Sequence, residues 1–218
     1  MLIGVATTIA KEFKYDGLKA CEFAKNLGFN AVQIYYKDTY NKNDAVNIKS
    51  QNLATIGHSD GENNLSLEIP SKEISFFLKA LSEPIIIFHY HIGNPDNYLS
   101  NIEQIINSGV KVALENTCKD EQTRESFLDL LKKAKSNQII PVLDMKRYFK
   151  IGMKNEFFSD LNFVIDKFNS LILQIENIEE IDHESLKRAI QSNPLMIIAE
   201  DDGIVMCKKT LSLIKQNI

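Results

Sequence analysis

Short runs rich in Val, Ile and Leu alternate along this chain with longer stretches whose apolar residues recur every three or four positions. The short runs have the length and β-branched content of strands buried on both faces, and the longer stretches have the period of helices with one buried face. Strands are expected at Leu2 to Ala6, Ala31 to Tyr36, Leu53 to His58, Ile85 to His91, Val110 to Glu115, Ile139 to Asp144, Leu171 to Glu176 and Leu195 to Glu200. Between them, helices are expected from Asp16 to Asn26, Asp44 to Gln51, Ser71 to Leu81, Asp96 to Asn107, Asp120 to Lys135, Asn155 to Asn169, Asp182 to Gln191 and Gly203 to Lys215. Local signals punctuate the pattern: Asp16 is placed to cap the first helix, Gly28 to end it, and lysines close the helix that starts at Asp120. Pro141 cannot donate to a ladder, so the strand carrying it is expected to be short or irregular. Eight strands strictly alternating with eight helices require a parallel sheet, and that number favours closure into a (β/α)8 barrel, here with short loops and a single domain over residues 1–218.

Composition narrows the class. A net charge of -4, with no cluster of Lys/Arg interleaved with stacking aromatics, argues against a nucleic-acid partner. Met1-Leu-Ile-Gly-Val runs directly into the first strand, so neither a leader nor a membrane span is expected and the cytoplasm is the default location. Cys21, Cys118 and Cys207 have no paired spacing. Cys21 and Cys207 read as helix packing residues and Cys118 as a loop cysteine near the barrel mouth, without an identifiable partner to make it a nucleophile.

The chemistry gathers where strands end. Val110-Lys-Val-Ala-Leu stops on Glu115, and a carboxylate at the end of a buried strand must be paired or bound to a cation to offset its desolvation. Asp144, Gln174, Glu176 and Glu200 end other strands in the same way, and parallel strands bring such ends to one face, where barrel enzymes keep their active sites. Structural ion pairs at the barrel top are the competing explanation. His89 reads as core, and His183 as the start of a helix. Lys146 and Arg147 follow Asp144 on an expected loop. Arg147 is either an anchor for a substrate phosphate or carboxylate or half of a solvated pair.

The series His58-Ser-Asp-Gly-Glu-Asn-Asn-Leu65, His91-Ile-Gly93, Leu114-Glu-Asn-Thr117, Leu143-Asp144 and Glu200 resembles the xylose isomerase-like barrel superfamily, which holds sugar and sugar-phosphate isomerases and epimerases together with endonuclease-IV-type nucleases. The resemblance implies one divalent metal at the mouth, held by Glu115, Asp144, residue 174 and Glu200, with Glu115 and Glu200 as the acid/base pair moving a proton beside a carbonyl. The family's histidine ligand falls on Gln174, and an all-oxygen set of this kind favours Mg²⁺ or Mn²⁺, with Zn²⁺ or Co²⁺ as the other candidates. The resemblance also implies that His58 and His91 sit at the mouth, as substrate contacts or as hydrogen-bonded structural groups. The resemblance therefore implies a metal-dependent isomerase or epimerase of a small sugar, sugar phosphate or related hydroxy-carbonyl compound. A hydrolase of the nuclease type would need more histidines than the four present. A barrel that binds a ligand without catalysis is the third reading, and Gln174 is the residue that raises it. Oligomeric state has no signature in the sequence.

Overall fold

The computed structural model describes residues 1–59, 65, 68–176 and 181–218. Eight parallel strands close into a barrel: β1 (Leu2–Ala6), β2 (Ala31–Tyr35), β3 (Ala54–His58), β4 (Ile85–His89), β5 (Lys111–Glu115), β6 (Ile140–Asp144), β7 (Ile172–Ile175) and β8 (Met196–Ala199). The ring closes where Leu2 pairs with Met196 and Val5 with Ala199. The helices outside it are α1 (Gly17–Leu27), α2 (Lys42–Lys49), α3 (Ser71–Ala80), α4 (Pro95–Asn107), α5 (Glu121–Lys133), α6 (Met145–Lys150), α7 (Lys154–Lys167), α8 (His183–Gln191) and α9 (Ile204–Gln216). The segment Thr7–Phe13 after β1 is a 3-10 helix. No helix of the described residues is long and apolar enough to cross a membrane.

Strand periodicity sorts the apolar residues into two cores. Ala31, Ile56, Ile85, Ile87, Ala113, Ile140, Val142, Ile172, Met196 and Ile198 fill the barrel interior. Their neighbours on the other face, such as Val32, Ile86, Val112, Leu114, Leu143 and Leu173, pack against the helices. Close approach of a helix to the sheet has a local cause at β3: a Cβ added to Gly57 would lie 2.8 Å from the Phe77 ring of α3.

The structure departs from the expected pattern at Pro141 and at the Lys146–Arg147 pair. Pro141 neither shortens nor breaks β6, which has five residues like its neighbours. The described register with β7 begins only at Val142, so the missing N–H falls at the start of that ladder. Lys146 and Arg147 lie on helix α6 and not on a loop, because the Asp144 side chain accepts from Arg147 N and caps a helical turn directly at the strand end. Cys118 is buried, at 4% exposure, like Cys21 and Cys207.

Candidate active site

The polar residues of the mouth continue the inward-facing rows of the inner core by one further step of two residues. Ile56 is followed by His58, Ile87 by His89, Ala113 by Glu115, Val142 by Asp144, Ile172 by Gln174, and Ile198 by Glu200. Alternation thus converges them at the C-terminal end of the sheet. His89 is consequently a mouth residue, correcting the expectation that it belongs to the core: it sits in register with Glu115, and its ring lies 4.8 Å from that of His58. His91 lies beyond the end of β4, with its ring 6.3 Å from that of His89 and its backbone N–H donating to Tyr98 OH. Of the motif His58 to Leu65, residues 60–64 lie outside the described residues.

Glu115 is the hub. Its Oε2 is 3.1 Å from His58 Nε2 and 3.4 Å from His89 Nε2. Its Oε1 accepts from Arg147 Nε at 3.2 Å and lies 3.1 Å from Arg147 Nη2. Burial alone would raise the Glu115 pKa, but His89 and His58 outweigh it and hold the carboxyl well below the usual range. Arg147 Nε also lies 3.0 Å from Asp144 Oδ2. Burial lowers the guanidinium pKa, whereas Glu115 and Asp144 raise it by more. Asp144 is pushed up to about 7 by burial and by the charge of Glu115, and Arg147 only partly offsets this.

Glu200 lies immediately after β8 and is held at one oxygen. Gln33 Nε2, Gln174 Nε2 and Tyr35 OH donate to its Oε1 at 2.6, 2.9 and 3.1 Å. Its Oε2 has no hydrogen-bond partner among the described residues. Burial first, then the charges of Glu115 and Asp144, push its pKa up to about 8. Gln33 and Tyr35 were missed in the sequence, although a Gln between Val32 and Ile34 in a buried strand is a legible signal of an inward polar contact.

Two cavities flank the Arg147 side chain. One, of about 390 Å³, is lined by Cys118, Lys119, Lys150 and Ile151; the other, of about 380 Å³, by Tyr35, Tyr36, His58 and His89. Both share Arg147, Glu176 and Glu200, and Glu176 is ion-paired to Lys146.

Two sets of residues bear on a metal. Among the described residues, His58, His89 and Glu115 bring ligand atoms within 4.8 Å of one another. His58 Nδ1 contacts the carbonyl of Ser59 at 2.8 Å, and since a carbonyl only accepts, that nitrogen carries the proton. The Nε2 of a neutral ring then faces a carboxylate oxygen as acceptor to acceptor, a contact that a shared cation or a second proton resolves. A ring nitrogen anchored on a backbone carbonyl while the other faces the metal is the arrangement of ligating histidines. These three residues fit a divalent ion. The set Glu115, Asp144, Gln174 and Glu200 does not fit one in this arrangement, because the Arg147 guanidinium contacts both Glu115 and Asp144 and the Gln174 amide hydrogens face Glu200.

The sequence matches no family profile and no curated protein. Solved structures do match. An AP endonuclease, family 2, from Brucella melitensis superimposes with a TM-score of 0.69 at 13% identity, covering 99% of both chains. L-ribulose 3-epimerase gives 0.67 at 12% identity over 99% of this chain and 86% of that one. A xylose isomerase domain protein from Planctomyces limnophilus gives 0.64 at 12% identity, covering 99% and 95%. At these identities the likeness is one of fold, the closed eight-stranded parallel (β/α)8 barrel.

Proposed function

We propose that this barrel is an isomerase or epimerase of a small sugar, sugar phosphate or related hydroxy-carbonyl compound, and that Glu200 moves the proton on the carbon beside the carbonyl. The observation that carries the reading is the state of Glu200. Three donors fix one of its oxygens, the other has no partner among the described residues, both cavities touch it, and its pKa of about 8 allows it to give and take a proton near neutral pH. Glu115 has both oxygens engaged and is held ionised, so its part in this arrangement is to hold His58, His89 and Arg147. Asp144, at about 7, is the second group in the mouth able to carry a proton. Opposed environments that keep one carboxylate charged and another protonated are the usual basis of acid and base roles in a single site.

His58, His89 and Glu115 would hold the divalent ion, which when bound supplies a Lewis acid that polarises a carbonyl. Two imidazoles and a carboxylate favour Zn²⁺ or Co²⁺ over the Mg²⁺ or Mn²⁺ expected for an all-oxygen set. Arg147 spans the gap between the cavities, and its fixed positive charge stabilises negative charge developing on substrate oxygen. Cavities of this size suit a molecule of a few carbons.

The test is solvent exchange. Pentoses, hexoses and their phosphates are incubated with the zinc- or cobalt-loaded protein in D₂O, and deuterium beside the carbonyl is read by NMR. Wild type should exchange at least one of them, and Glu200→Gln should slow that exchange by roughly 10²–10⁴-fold, the usual contribution of an acid/base group. Exchange that is absent for every sugar, or equal in the variant, sinks the reading. Turnover of abasic DNA by the same preparation would replace it with the hydrolase reading.

A further inference from the structure

Arg147 is placed with unusual economy. The Asp144 side chain caps α6 by accepting from Arg147 N at 3.4 Å, and three residues along the same turn the arginine side chain folds back over its own cap. Its Nε then lies 3.0 Å from Asp144 Oδ2 and 3.2 Å from Glu115 Oε1, with Nη2 3.1 Å from the same Glu115 oxygen. One cationic group thus bridges carboxylates from two neighbouring strands, 2% and 7% exposed at their side chains, which is the service a bridging metal ion performs. A second observation concerns Gln174, the register partner of Asp144 on β7. It is fully buried, and its Oε1 has no hydrogen-bond partner among the described residues. Buried amide oxygens are almost always satisfied, so this one, on the register partner of Asp144, is an oxygen donor that the guanidinium leaves unused.

We propose that Arg147 is a built-in cation occupying the place of a second metal ion between Glu115 and Asp144, so that the barrel takes one exchangeable divalent ion and not two. Glu115 faces both positions, with Oε2 towards the histidines and Oε1 towards the arginine. The exchangeable ion is the one assigned above to His58, His89 and Glu115, and only the absolute ion count rests on that assignment. A guanidinium cannot dissociate or be chelated, and it carries one charge where a metal carries two. The second position is therefore permanently filled and less strongly electrophilic.

The experiment counts ions. Metal-stripped protein is titrated with Zn²⁺ and with Mn²⁺ by calorimetry, and bound metal is measured after gel filtration. Wild type should hold one ion. Arg147→Gln should hold one more, the additional site preferring Mn²⁺ because its ligands are all oxygen. Arg147→Lys retains a cation and should stay at the wild-type count. Wild type holding two ions, or a folded Arg147→Gln holding no more than wild type, overturns the inference. Wild type holding none while Arg147→Gln holds one upholds it and removes the histidine metal site instead. Should Arg147→Gln fail to fold, Asp144→Asn decides: the inference gives Asp144 no ion in wild type, so that variant keeps the wild-type count and affinity, and a lost ion or weakened binding overturns it.

Discussion

At the scale of single residues, the site is a set of acids pushed apart in pKa by one another. Glu200 and Asp144 are raised to about 8 and about 7, both by burial first and then by neighbouring negative charge. A carboxyl whose folded-state pKa exceeds its unfolded value binds its proton more tightly when folded, so it favours the fold at low pH and loses that contribution as pH rises through the folded value. In metal-free protein with a chelator present, denaturation midpoints should therefore fall between about pH 5 and pH 8, and Glu200→Gln should flatten the fall because its amide never ionises. Glu115 has the opposite sign: its depressed pKa stabilises the fold above the usual carboxylate range, and that contribution is lost as pH drops below it. A Glu200→Gln profile as steep as wild type over the alkaline arm would show that Glu200 is already ionised there. The same residues show what the sequence conceals. Glu115, Asp144 and Glu200 are legible as candidates because carboxylates rarely end apolar runs, whereas the partner of each depends on distances across the barrel. Arg147, expected to face either solvent or a substrate anion, pairs with Glu115 and Asp144.

At the scale of elements, a buried polar staple joins three helices behind the mouth. Arg124 of α5 donates from Nε and Nη2 to the two oxygens of Asp160 on α7, each at 2.7 Å, and Tyr148 of α6 donates to Asp160 at 2.8 Å. Asp160 is 2% exposed, so removing its charge leaves a largely enclosed guanidinium short of its main partner. Asp160→Asn should cost about 3 kcal/mol in urea denaturation, within the range for breaking a buried pair. Because α6 carries Arg147, the same variant should also disturb the site; an unchanged midpoint would mean that helix packing holds α6 without the staple. This short helix escaped the sequence pattern for a physical reason. At six residues it is too short to show a repeating apolar face, and it follows β6 with no intervening loop.

At the scale of the whole molecule, the barrel sets strand ends carrying His58, His89 and Glu115 side by side, so an ion bound there ties β3, β4 and β5 together. Ligands that bind only the folded state raise its stability by mass action, by about 2.7 kcal/mol at a hundred times the dissociation constant. Zinc or cobalt should accordingly raise the melting temperature of metal-stripped wild type, and His89→Ala should abolish most of that rise. Equal shifts in both proteins would place any bound ion elsewhere.

Strand and helix order, and with them the closed parallel barrel, could be read from the chain because two periods, near two and near 3.6 residues, record which faces are buried at each step. Strand-end polarity likewise marked the C-terminal mouth as the place for chemistry. Tertiary structure alone decided how these groups are arranged. His89 and His91 share strand parity, and only the end of β4 at His89 puts one ring against Glu115 and the other beyond it. Gln33 and Glu200 lie 167 positions apart and meet because the ring closes between β1 and β8. The two sides of Glu115, histidines on one and arginine on the other, follow from which strands flank β5, a property of the closed sheet that no local pattern encodes.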